Sequence, residues 1–160
     1  MINENGIIVK KTGSPNINFV KIVTPKGKID AIVYGKKQLS LLYLFNFELK
    51  ESNNIYIVSK FYLIDKFEFL NTKEKLMAAF FIIDVASQID IDYDFLLQTI
   101  KLLEQNNIKY CIDSFLVRIL TQNGIYKKEF SNTKDLILEL EKYLGKKLKV
   151  SLDEVFIATR

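Results

Sequence analysis

The sequence predicts an α+β protein, a five-stranded OB-type β-barrel over about residues 1–69 packed on an all-helical domain over 70–160. Three observations lead there. Apolar residues recur with a period of two up to about Phe69 and of about 3.6 afterwards. The first part offers five short strands with no helix-length pattern between them. An open sheet of that size leaves its edges bare and buries little, so a closed or nearly closed antiparallel barrel is required. Finally, no flexible linker separates the two parts.

The strands follow in order. In the first, Ile7 and Val9 alternate with Ile8 and Lys10. The second is Phe19 to Val23, ended by Thr24-Pro25, after the turn residues Gly13 to Asn18. In the third, beyond the Lys26-Gly27 turn, Ile29, Ala31 and Val33 take one face and Asp30, Ile32 and Tyr34 the other. Leu44 to Leu49 form the fourth. Ile55 to Val58 form the fifth, which runs or bends on toward Phe67. Two five-stranded architectures satisfy this pattern, the OB barrel and the SH3-like barrel, and the strands alone do not separate them. An OB barrel often has a helix between its third and fourth strands, and Gln38 to Leu44 reads as a short turn or remnant of one.

Asn71, with Glu74 three residues on, has capping-box spacing for a first helix bearing Leu76, Phe80 and Ile83. Asp92 starts a second, with Phe95, Leu96, Ile100 and Leu103 inward and Asn106-Asn107 at its end. A third runs from about Cys111 to Asn123, followed by Gly124 where a C-cap wants glycine. Thr133 caps a fourth, closed by Gly145, and Ser151 to Glu154 suggest a last short helix.

Composition narrows the chemistry. There is no histidine and one cysteine, Cys111, which excludes an intrachain disulfide, a Cys₄ or Cys₂His₂ zinc site and a Ser-His-Asp triad. No metal, cofactor or catalytic residue is therefore expected. Asp84, Asp90, Asp92 and Asp94 are the densest carboxylates, but Ile89-Asp-Ile-Asp-Tyr-Asp94 stands at a helix start, where acids are favoured anyway. The longest apolar run, Leu76 to Ile83, is too short to span a membrane, and Met1 to Gly6 lack the features of a signal peptide, so a cytoplasmic location without membrane association is expected.

Charge is uneven. Residues 1–68 hold ten lysines and six acids, and the rest of the chain is balanced, so the entire excess of +4 lies in the first part. That asymmetry points to an anionic partner. Lys10, Lys11, Lys21, Lys26, Lys28, Lys36 and Lys37 sit at strand ends and loops, where they can track phosphates. Tyr34 can stand outward as a stacking platform, as can Tyr56, while Tyr43 lies in a connection. A solvated, lysine-rich surface and tyrosines built into the barrel are the plain structural alternatives.

Several segments resemble the bacterial recombination mediator family RecO, in the order that family has them. They are Gly6-Ile-Ile-Val-Lys10, Thr24, Gly27 and Ala31 to Lys37, then Phe45 to Leu49 and Ile55 to Phe67. Phe115 to Gly124 resembles the family's Phe-x-x-Arg/Ala-Leu-Leu-x-x-x-Gly helix, and Tyr143 to Ser151 its Leu-Gly-x-x-Leu-x-x-Ser segment. Tyr34 stands where the family has lysine, and Lys36-Lys37 where it has Ala-Arg. The four-cysteine zinc module that many members carry after the matching glycine is missing beyond Gly124, and Asp113-Ser114 replace residues that are often basic.

The resemblance implies an OB domain over 1–69 that binds single-stranded DNA, with no enzymatic activity, in DNA repair and recombination. It also implies a helical domain that binds the acidic, hydrophobic tail of single-stranded DNA-binding protein, and the recombination protein RecR as a further partner. The matching helix makes Phe115, Arg118 and Ile119 the candidates for that tail, with the Arg118 guanidinium gripping a carboxylate. A salt bridge to a neighbouring helix or plain solvation also accounts for Arg118. Two other classes remain open, an RNA-binding or translation-associated adaptor and a protein-interaction scaffold that binds no nucleic acid.

Overall fold

The computed structural model describes residues 1–35, 39–105, 107–130, 132–150 and 152. In chain order the elements are β1 (Ile2–Ser14), β2 (Ile17–Thr24), β3 (Gly27–Tyr34), β4 (Leu44–Ser52), β5 (Ile55–Asp65), α1 (Lys73–Gln88), α2 (Tyr93–Leu102), α3 (Ile108–Gln122) and α4 (Thr133–Leu144). The protein is α+β, a closed five-stranded barrel followed by four helices. Contacts divide the chain into two compact units, Met1–Glu68 with Ile83–Gln98, and Phe69–Ile82 with the chain from Thr99 on.

Round the barrel the strands run β1-β2-β3-β5-β4 and back to β1, the order of an OB-type barrel. Four of the five seams are antiparallel. The fifth is parallel, with Ala31 opposite Tyr56 and Ile32 opposite Ile57. The barrel expected from the sequence as closed or nearly closed and antiparallel is fully closed, and is corrected only in this one parallel seam, for a reason of parity. Directions cannot alternate all the way round a ring with an odd number of strands, so one seam must join strands that run the same way.

Ile8, Val20, Ile22, Ala31, Val33, Phe45, Phe47, Leu49 and Val58 fill the barrel. Phe45 packs near Phe47 and edge-on to Phe61, with ring centres 5.5 and 5.6 Å apart. The connection before β4 belongs to this core. Leu39 is buried there, Leu41 and Tyr43 pack against it, and the Leu42 N–H donates to the Ile8 carbonyl at 3.0 Å. Tyr56 packs on the same core from β5. Strand β5 stops at Asp65, whose carboxylate accepts from the Phe67 N–H at 2.7 Å and turns the chain.

Two features of β1 set the barrel's shape. The pairing with β2 shifts between Ile8 and Lys10, so Val9 is an extra residue, a β-bulge. Gly6 faces the interior, where a Cβ would run into the Ile22 side chain and crowd the Val23 carbonyl and the Phe47 ring.

The helix boundaries correct the sequence reading by small steps. Thr72, not Asn71, caps α1, its hydroxyl accepting from the Lys75 N–H at 3.2 Å, so Glu74 closes no capping box. Asp92 caps α2, with its carboxylate 3.1 Å from the Phe95 N–H. Asn107 does not end α2; it caps α3 from the front by accepting from the Tyr110 N–H, and α3 starts at Ile108 rather than Cys111. Helix α3 ends with Gly124 in the left-handed region, where the Ile125 N–H returns to the Leu120 carbonyl and the Gly124 N–H to that of Thr121. Asn132, not Thr133, caps α4, and the Thr133 hydroxyl instead donates to the Asp113 carboxylate. The short helix expected from Ser151 lies outside the described residues.

Phe115, Leu116, Ile119 and Leu120 are buried along α3, as are Leu136 and Leu140 along α4. Cys111 is buried too, which pushes its thiol above the usual range, and its Sγ lies 3.4 Å from the Leu102 carbonyl. No helix among the described residues is long and apolar enough to cross a membrane.

The tight seat of Gly6 gives a direct stability test. Gly6→Ala must displace Ile22 or part the strands, and overpacking of this kind costs about 1–3 kcal/mol. Urea unfolding should show that loss as a lower midpoint with an unchanged slope.

Candidate nucleic-acid interface

The bulge at Val9 decides which side chains leave the barrel. Ile8 lies opposite Ile22 and points inward with it. One extra residue later, Lys10 lies opposite Lys21, and Thr12 opposite Phe19. Lys21 alternates with the buried Val20 and Ile22, so this second register places Lys10 and Thr12 on the outer surface. On β3, Asp30 lies opposite Lys21, Ile32 opposite Phe19 and Tyr34 opposite Ile17.

The outer face of β1-β2-β3 thus forms a small grid. Lys10, Lys21 and Asp30 make one row, Thr12, Phe19 and Ile32 the next, and Ser14, Ile17 and Tyr34 the last. Phe19 is 50% exposed, Tyr34 51% and Ile17 39%, an aromatic and apolar surface that the core does not claim. At the charged end, Lys10, Thr12, Phe19, Lys21, Asp30 and Ile55 line a cavity of about 290 Å³. Directly opposed like charges destabilise a sheet, and Asp30 on the far side of Lys21 offsets the Lys10–Lys21 repulsion.

The remaining lysines have other surroundings. Lys11 Nζ donates to the Leu39 carbonyl at 3.1 Å, pinning the connection into β4. Lys26, in the β2-β3 turn, forms an ion pair with Glu4 at 2.9 Å, and the hydrogen bond to Glu4 raises its pKa. Half-buried Lys28 Nζ donates at 2.6 Å to the carbonyl of Ile89, just past the end of α1, where a cation also meets the negative end of the helix dipole. Lys36 and Lys37 lie outside the described residues. Of the candidate set, then, Lys10, Lys21 and Tyr34 come together on one face. Lys28, opposite Val23, stands one row beyond Lys21 and Asp30 with its ammonium on the Ile89 carbonyl, and Lys26 lies past it in the β2-β3 turn.

Phe19, Ile17, Thr12 and Asp30 were not among the candidates. The signal for Phe19 is in the period of two, which gives it the same face as Lys21 and the opposite face from Val20 and Ile22. In the helical unit, Phe115 and Ile119 are 1% and 0% exposed and serve its core, whereas Arg118 is on the surface. Among the described residues no three acidic or cysteine side chains gather into a metal-binding group. Of the carboxylates singled out, Asp92 is a helix cap and Asp84 accepts from the Gln88 side chain.

The chain matches no family model and no curated protein.

Lys28 makes the stability of this region depend on pH. Burial is the main cause that lowers its pKa below 10.5, and the Lys21 charge adds to it, against the pull of Asp90 and Asp30. The charged form is then harder to hold in the folded protein than in the unfolded chain. That penalty is fully present at neutral pH and fades as pH rises through the folded pKa toward 10.5. Unfolding free energies of the parent and of Lys28→Met, measured in parallel from pH about 7 to about 10.5, should show the difference moving in the parent's favour as pH rises.

Proposed function

We propose that the protein binds single-stranded nucleic acid, DNA in the first place, on the outer face of β1-β2-β3, and performs no chemistry on it. The observation that carries this reading is the meeting of Phe19 and Tyr34, each about half exposed, with Lys10 and Lys21 on one face of an OB-type barrel. Rings offer stacking surfaces to bases, and ammonium groups offer contacts to phosphates. In OB barrels the β2-β3 face and the loops beside it are the usual place for an oligonucleotide. A duplex keeps its base faces stacked away, so exposed rings favour the single strand.

The resemblance to the RecO family supports DNA over RNA and a role as a recombination mediator that assists annealing or recombinase loading. On the same ground we propose the tail of single-stranded DNA-binding protein as a partner, with Arg118 as its surface contact. RecR is carried over from the family as a second partner.

Affinity for single-stranded DNA, duplex DNA and RNA of one sequence, measured across salt, tests the reading. Replacing Lys10 and Lys21 with glutamine should lower the slope of log affinity against log salt by about 1.4, since each phosphate contact on a single strand contributes roughly 0.7. Phe19→Ala should cost about 1–3 kcal/mol of binding. Lys26→Gln should leave the slope nearly unchanged, because that ammonium is already paired with Glu4. A protein that binds duplex as well as single strand, or neither, overturns the proposal, and a preference for RNA reassigns it to the adaptor class.

A further inference from the structure

Asp30 is a group that phosphate tracking does not use. Its carboxylate is exposed at the β3 end of the Lys10-Lys21 row, within the fields of Lys21 and Lys28, and it forms no hydrogen bond or close ion pair among the described residues. It lines the cavity together with Lys10, Lys21 and Phe19. In the β2-β3 register it is the neighbour of Lys21 and lies diagonally from Phe19, about 7–8 Å away in a ladder of this kind. An acid so placed weakens attraction for phosphates.

We propose that this cavity receives one base of the bound strand and that the Asp30 carboxylate accepts a hydrogen bond from the base's exocyclic amino group, so that the face prefers cytosine to thymine. The proposal rests on the single-strand reading of the face and sharpens it. The Phe19 ring supplies a floor on which a planar base can stack. Lys10 and Lys21 stand beside the cavity, where the phosphates that flank the base would pass. At about 290 Å³ the space is at the small end for ligand sites, suited to one base rather than to a whole cofactor.

An ionised carboxylate can only accept hydrogen bonds. Cytosine presents an amino donor at the position where thymine presents a carbonyl oxygen, so Asp30 gains a bond from the first and faces a lone pair on the second. Both bases are pyrimidines and stack alike, which isolates this one contact.

The test is the affinity of the full chain for homopolymeric cytosine and thymine oligodeoxynucleotides of equal length, at slightly alkaline pH where cytosine stays unprotonated. The cytosine strand should bind about three- to tenfold more tightly. Asp30→Ala and Asp30→Asn should each bring the ratio close to one, since the first has no acceptor and the second can turn either its oxygen or its amino group to the base. Asp30 is exposed on the surface, and an unchanged melting temperature would confirm that both variants fold. Equal affinities in the parent, a preference for thymine, or a ratio that both variants leave unchanged would overturn the proposal. Binding without base preference would sink the pocket assignment and leave the single-strand face standing. No binding to either strand would sink both.

Discussion

Between Ile8 and Lys10 the first strand carries one residue more than its partner, and the chemistry of the barrel's outer surface follows from that surplus. Without Val9 as the extra residue, strict alternation would send Lys10 into the barrel with Ile8, where an ammonium has no partner and a high cost. With it, Lys10 turns outward beside Lys21, and Lys11 takes the inward parity at the end of the barrel. There its Nζ reaches the Leu39 carbonyl. Leu39 in turn belongs to the barrel core, so one irregularity sorts two adjacent lysines into a surface role and a structural one.

The lysines also show why net charge is a coarse guide to an interface. Lys11, Lys26 and Lys28 are tied to Leu39, Glu4 and Ile89, and each tie serves the fold. Lys28 is 61 residues from its acceptor in the chain. No reading of local pattern brings those two together. Lys10 and Lys21, by contrast, stand with rings and with an acid, so the face has a composition of its own and is more than a basic patch.

Much of the fold was legible because period is a property of neighbours. The change from two to 3.6 marks the end of the strands, and the pattern finds the five strands and four helices of the described residues, though Gly13-Ser14 and Ile17-Asn18, which read as turn residues, prolong β1 and β2 so that only Pro15-Asn16 turn. Caps were less legible where two capable residues adjoin. Asn71 and Thr72, or Asn132 and Thr133, can each cap on chemistry alone, and backbone geometry selects between them. Asn107 reads equally as the end of one helix and the start of the next. The parallel seam was hidden in the pattern, since alternation reveals which residues face inward and not which strand lies alongside. At the candidate interface, charge marks Lys10 and Lys21, and alternation along the third strand marks Tyr34. Phe19 carries no charge to mark it, and only its period-two parity with Lys21 sets it outside the core.

The odd number of strands has a mechanical consequence. The seam that parity makes parallel is also the shortest, with Ala31-Ile32 meeting Tyr56-Ile57, while β4 and β5 are joined along nearly their whole length. Parallel pairing is also slightly less stable per residue than antiparallel. Any breathing of the closed barrel therefore has its line of least resistance between β3 and β5, where local opening costs least. Ala31 and Ile55, beside that line, are walls of the outer cavity. A guest that touched both walls would act as a clasp across the joint.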